Sequence, residues 1–204
     1  MTDPVTDIAA VMRLAPVIPV LVIEDAGAAR ALAEALVAGG LPALEVTLRT
    51  PAALDAIRAM ADVPGAVVGA GTVVTPEQFD AAHAAGARFI VSPGLHEPLA
   101  QHIARAGVPY LPGVATAADL MRGRALGLTH FKFFPAATSG GLPALKALAA
   151  PFFDCRFCPT GGIDEGNAPD WLAIDPVLCV GGSWVAKGTM AEVEARARAA
   201  AALG

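Results

Sequence analysis

Lysine is the scarcest charged residue in this chain: of 14 Lys and Arg, only Lys132, Lys146 and Lys187 are lysines. Charged residues amount to 16% of the composition, aromatics to 5%, and the net charge is −5. With no basic block or stripe and an acidic balance, a nucleic-acid partner is excluded, because phosphate backbones are bound through clustered positive charge. Long apolar runs are also missing. Residues 14–23 contain Pro16 and Pro19 and stop at Glu24 and Asp25, too short a run to span a bilayer. They also lack the basic flank and cleavage site of a secretory signal, so a cytoplasmic protein without a membrane partner is expected. Cysteine is limited to Cys155, Cys158 and Cys179, an odd number that suits a reducing compartment. Cys155 and Cys158 form a C-x-x-C within a strand-like segment. Positions i and i+3 of a strand face opposite sides, so these thiols read as ordinary buried cysteines rather than as a metal or redox pair.

What is present is a regular alternation. Short apolar runs at 17–22, 43–47, 66–71, 89–92, 110–112, 130–134, 156–160 and 177–180 are separated by alanine-rich helical stretches. The stretches include 26–38, 51–61, 76–85, 97–106, 117–126 and 142–149. Thr50-Pro51 and Thr75-Pro76 place a hydroxyl before a first-turn proline, Thr116 and Asp164 are further caps, and Gly39-Gly40, Gly86, Gly107 and Gly127 mark helix ends. At 204 residues, 55% of them hydrophobic, the pattern predicts one α/β domain spanning 1–204, a (β/α)8 TIM barrel. Residues 2–13 read as an extra N-terminal helix covering the barrel bottom. An open doubly wound sheet is the rival; even strand spacing and polar residues at many strand ends favour the barrel.

In His130-Phe131-Lys132-Phe133-Phe134-Pro135, alternation turns Phe131 and Phe133 toward the helices and Lys132, with Phe134, into the interior. Burial favours the neutral form of an amine, which is the form that attacks a carbonyl. The alternative is a lysine that merely pairs with a buried carboxylate. In Ala43-Leu44-Glu45-Val46-Thr47, Glu45 and Thr47 point inward, and Glu45 is either a general acid/base or only the counter-ion of Lys132. Arg49, on the following loop, is a candidate clamp for a substrate carboxylate or a solvated charge. Thr160-Gly161-Gly162 and Gly181-Gly182-Ser183 follow the last two strands, where barrels commonly receive phosphate; each alone could be a plain turn. Gly69-Ala70-Gly71-Thr72 is not a dinucleotide fingerprint. His83, His96, His102 and His130 form no metal-ligand cluster, the first three falling on helices or their entries, so neither a metal nor another cofactor is expected. Arg156 points inward by alternation, with no role assigned.

The blocks at 17–20, 44–50, 69–73, 90–94, 131–136, 156–163 and 181–184, nearly the whole chain in order, resemble the 2-keto-3-deoxy-6-phosphogluconate (KDPG) aldolase family. The resemblance implies a class I aldolase that splits KDPG into pyruvate and glyceraldehyde 3-phosphate in the Entner–Doudoroff pathway, with 4-hydroxy-2-oxoglutarate cleavage as a second reaction. It implies that Lys132 forms the imine, Glu45 moves protons, and Arg49 and Thr72 hold the pyruvate carboxylate. Pro93 and Phe134 then shape the pyruvyl pocket, Gly161, Gly162, Gly182 and Ser183 receive the phosphate, and Thr160 is a further substrate-binding residue. A homotrimer is implied as well. The rivals are an aldolase for the C4 epimer, 6-phosphogalactonate, and a catalytically silent phosphosugar-binding barrel; the Thr160 and Ser183 pattern is more like the gluconate enzyme.

Overall fold

The computed structural model describes Val5 and residues 7–203. Its strands are β1 (Val17–Leu21), β2 (Ala43–Thr47), β3 (Val67–Gly71), β4 (Phe89–Val91), β5 (Tyr110–Leu111), β6 (Gly113–Val114), β7 (His130–Phe133), β8 (Arg156–Pro159) and β9 (Val180–Gly182). The helices are α1 (Ile8–Met12), α2 (Ala29–Ala38), α3 (Ala53–Ala61), α4 (Pro76–Ala84), α5 (Glu97–Ala106), α6 (Ala117–Ala125), α7 (Gly141–Ala149), α8 (Ala168–Leu172) and α9 (Met190–Ala201). Every strand pairing is parallel, in two sheets ordered β5-β4-β3-β2-β1-β9 and β6-β7-β8. The fold is therefore α/β with a curled parallel sheet. The predicted run 110–112 is divided at Pro112, which has no N–H for the ladder. Only Pro112 separates β5 from β6, and its carbonyl still accepts from Lys132 N at 2.9 Å. At the other margin Phe157 bridges Val177 and Thr160 bridges Gly181, both in parallel. The last predicted run, 177–180, keeps only Val180 in β9, which continues to Gly182.

The strands have two apolar faces. Leu44, Val46, Ile90, Phe131, Phe133 and Phe157 belong to the cluster shared with the helices. Ala43, Val67, Phe89, Val91, Leu111, Cys158 and Cys179 form a second cluster on the inner face, which Val11 and Met12 of α1 join. The N-terminal helix is shorter than predicted: Asp7 caps it through Ala10 N and it runs only from Ile8 to Met12. Residues 2–4 and 6 of the expected helix lie outside the described residues.

Local punctuation holds at some helix ends and yields to tertiary contacts at others. Thr75 accepts from Gln78 N with Pro76 in the first turn of α4, and Thr116 forms a capping box with Asp119 on α6. Gly107 ends α5 in the left-handed region at φ 68°. Thr50, by contrast, does not cap α3. Its hydroxyl donates to Ile23 O at 2.5 Å across the strand ends, and the helix begins at Ala53. Asp164 accepts from Gly166 N and Asn167 N and so holds a turn, while α8 starts later, at Ala168.

Candidate active site

Glu45, Thr47, Ser92, Lys132 and Thr160 are the buried polar or charged residues among those described. Burial of such groups is costly unless each is paired, so their positions mark where the fold does something besides packing. Lys132, on β7, and Glu45, on β2, come from different sheets and meet in the interior. Lys132 Nζ lies 3.0 Å from Glu45 Oε1 and 3.4 Å from Oε2, with side-chain exposures of 7% and 3%. The Phe134 ring faces the same amine, its centroid 5.2 Å from Nζ. The inward assignments of Lys132, Glu45 and Phe134 thus agree with the geometry, and so does the inward Thr47, whose hydroxyl donates to Leu21 O at 2.9 Å. Lys146 and Lys187 are exposed.

The room for Glu45 is made by Gly71. A Cβ at Gly71 would stand 2.2 Å from Glu45 Oε1, so only glycine leaves the carboxylate its place beside the amine. Gly71→Ala is expected to cost about 1–3 kcal/mol of stability through overpacking. It should also lower turnover about ten- to hundredfold by displacing the carboxylate. Gly69→Ala is the control, since its Cβ would strike the Phe89 ring at 2.5 Å rather than Glu45. Melting curves should fall for both variants, and the turnover number should fall mainly for Gly71→Ala. Equal turnover losses would refute this account. Reading the segment only for a nucleotide fingerprint misses this role.

Thr72 follows at φ 59°, a left-handed conformation that is strained for a β-branched residue and costs about 1–3 kcal/mol. Such strain persists only where the surroundings impose it, and here it stands immediately after the glycine that accommodates Glu45. Arg49 is exposed on the loop after β2 and has no hydrogen-bonding or ionic side-chain partner among the described residues. It is a free cation at the C-terminal end of the strand carrying Glu45. Pro93 is half-buried. Its carbonyl packs so closely on Gly113 that a Cβ there would approach to 2.1 Å, and Gly113 is the register partner of Lys132.

The two late glycine pairs differ in why they are glycines. Gly161 and Gly162 have φ of 100° and 76°, a turn that side chains rarely adopt. Gly181 and Gly182 are required for space: a Cβ on Gly181 would meet Thr160 Oγ1 at 2.2 Å, and one on Gly182 would meet the Trp184 ring at 1.7 Å. The Thr160–Gly181 bridge sets the two turns side by side, and Ser183 is exposed at the end of the second.

The cysteines separate by face: Cys155 packs on the helix side and Cys158 on the inner side. Alternation alone did not reveal that Cys158 and Cys179, on neighbouring chain segments, share the inner cluster. The neighbouring Cys158 thiol, then burial, then the Glu45 charge, raise the Cys179 thiol well above the ordinary cysteine range. Arg156 pairs in register with His130, two residues before Lys132 and Cys158, and donates to the carbonyls of Phe153 and Cys155. It sits at the opposite strand end from the Lys132 amine. His130 is lowered from its ordinary pKa first by burial and then by Arg13 and Arg156, with Asp7 opposing. His83 stacks on Phe79, His102 pairs with Asp80, and His96 is exposed. Among the described residues no group of three or more His, Cys, Asp or Glu could hold a metal ion, and no helix is long and apolar enough to cross a membrane.

This chain is similar to known proteins over nearly its whole length. The family model for KDPG and KHG aldolases matches residues 8–201. A protein of Zymomonas mobilis subsp. mobilis named 2-dehydro-3-deoxy-phosphogluconate aldolase is 58% identical over 199 residues, covering 96% of each chain. The KHG/KDPG aldolase of Escherichia coli is 51% identical, covering 88% of this chain and 85% of its own. The crystal structure of KDPG aldolase from Legionella pneumophila, with pyruvate captured at low pH as a covalent carbinolamine intermediate, superimposes with a TM-score of 0.93. It is 44% identical and covers 96% of this chain and 98% of that one. A buried lysine–carboxylate pair within a curled parallel sheet, and similarity over nearly the full length, lead to one conclusion: this chain belongs to the KDPG and KHG aldolase family.

Proposed function

We propose that this protein cleaves 2-keto-3-deoxy-6-phosphogluconate to pyruvate and glyceraldehyde 3-phosphate as a class I aldolase, with Lys132 as the Schiff-base nucleophile. The observation that carries the reading is the buried pair of Lys132 Nζ and Glu45 Oε1 at 3.0 Å. Proton transfer within that hydrogen bond converts an ion pair into a neutral amine and a carboxylic acid with no change in net charge. The amine then adds to the C2 ketone, and the Glu45 carboxyl protonates the departing hydroxyl, releasing water and leaving a cationic imine. Glu45, now a carboxylate, removes the C4 hydroxyl proton. The C3–C4 bond breaks, and its electrons flow into the imine to form an enamine. The aldehyde departs, C3 is protonated, and hydrolysis frees pyruvate and the lysine.

Arg49 and Thr72 grip the carboxylate in this reading, and Pro93 and Phe134 flank the pyruvyl carbons. Gly161, Gly162, Gly182 and Ser183 receive the phosphate, and Thr160 contacts the sugar-acid chain. Support for the phosphate role comes from the positive φ of Gly161 and Gly162, a turn conformation of the kind in which successive backbone N–H groups make anion-binding concavities. We read the two sheets as one (β/α)8 domain over 1–204, closed at Pro112 and at the β8–β9 bridges, with α1 beneath the inner cluster. A cytoplasmic homotrimer accords with family membership. Because the pyruvyl contacts do not involve the sugar tail, 4-hydroxy-2-oxoglutarate is a second substrate.

Borohydride reduction in the presence of pyruvate, followed by mass mapping, tests the reading. One pyruvyl adduct on Lys132 is expected. No adduct, or labelling of Lys146 or Lys187 instead, would overturn it, and faster cleavage of the C4 epimer than of KDPG would overturn the choice of sugar acid.

A further inference from the structure

Two buried hydroxyls that take no part in the chemistry above stand behind the Pro93–Gly94 turn. Ser92 and Tyr110, the single tyrosine of the chain, are 1% and 5% exposed. Ser92 Oγ donates to Gly94 O at 2.7 Å and lies 2.6 Å from the Tyr110 hydroxyl. A serine hydroxyl has one proton; with that proton on Gly94 O, Tyr110 is the donor of the second bond. Burial pushes the phenol up to about 12, which keeps it protonated at neutral pH. The bonds therefore run in series, Tyr110 to Ser92 to the Gly94 carbonyl, an arrangement in which each strengthens the next. Ile90 and Tyr110 belong to the helix-side cluster and Val91 to the inner one, so alternation continues Ser92 outward and Pro93 inward. The pair holds the turn from the helix side, while the close Gly113 contact holds Pro93 from the strand that pairs with Lys132.

We propose that Tyr110 and Ser92 are positioning residues for the keto-acid half of the substrate, setting through Gly94 where Pro93 stands relative to the Lys132 amine. This rests on the aldolase reading above, and neither hydroxyl needs to touch substrate.

Wild type, Tyr110→Phe, Ser92→Ala and the double variant are to be compared for KDPG cleavage, for the pyruvate dependence of borohydride trapping at Lys132, and for melting temperature. Tyr110→Phe is expected to raise KM and the half-saturating pyruvate concentration about fivefold, the worth of one net hydrogen bond, with kcat nearly unchanged because the bond acts on binding. Ser92→Ala should cost at least as much. The double variant should cost no more than Ser92→Ala, because Tyr110 acts only through Ser92. Variants that melt earlier but keep wild-type KM and half-saturation would overturn the proposal, as would additive losses in the double variant. Wild-type protein that traps no pyruvate would overturn the aldolase reading itself, whereas trapping by wild type and all variants alike would overturn the positioning role alone.

Discussion

Lys132→Ala is expected to reduce KDPG cleavage by at least on the order of ten-thousand-fold, with no recovery at saturating substrate. The loss falls on kcat because the amine is the bond-forming group. Lys146 and Lys187 are exposed and cannot take its place inside the sheet. The same substitution removes the counter-ion of a carboxylate that is 3% exposed. Breaking one side of a buried ion pair typically costs about 3–5 kcal/mol, so the variant should also melt early. Adding Glu45→Gln to Lys132→Ala separates the two effects: stability should return toward wild type as the orphaned charge disappears, and turnover should stay lost. Circular dichroism melts and a coupled pyruvate assay read both quantities. Measurable turnover in the restabilised double variant would remove Lys132 from the chemistry.

Glu45→Gln alone is expected to lower turnover about 10²–10⁴-fold, the range for a positioned acid/base group, while pyruvate is still captured on Lys132 by borohydride. Glutamine preserves the shape that Gly71 accommodates and keeps an oxygen near the lysine, but it can neither accept the C4 hydroxyl proton nor deliver one to the departing hydroxyl. The variant should therefore still form the trappable imine, more slowly and with solvent supplying the proton, and lose most of the C3–C4 cleavage that follows. Full activity in Glu45→Gln would mean that the carboxylate serves only as a counter-ion.

Much of this site was legible because strand alternation is a local property. Once residues 130–134 are read as a strand, Lys132 must face away from Phe131 and Phe133, and the apolar clusters divide along that line. The same logic separated Cys155 from Cys158 and turned Glu45 from Leu44 and Val46. Local reading failed where a distant partner outcompeted the nearby one. Thr50 resembles a helix cap, yet it bonds Ile23 O. The helix read over residues 2–13 reduces to Ile8–Met12 within the described residues. At Gly182 the tertiary structure adds a packing reason for glycine that local reading did not supply, since the Trp184 ring leaves no room for a side chain.

By itself, the sequence of this protein determined the order of strands and helices, the face on which each residue lies, and the family blocks that name Lys132 and Glu45. Only the tertiary structure decided that these two, 87 residues apart, meet at 3.0 Å, that Gly71 makes the room, and that Arg156 sits at the other end of its strand beside His130. The reason is physical: periodicity specifies which way a side chain points, but the distance across a curled sheet depends on strand register, twist and close packing among segments far apart in the chain.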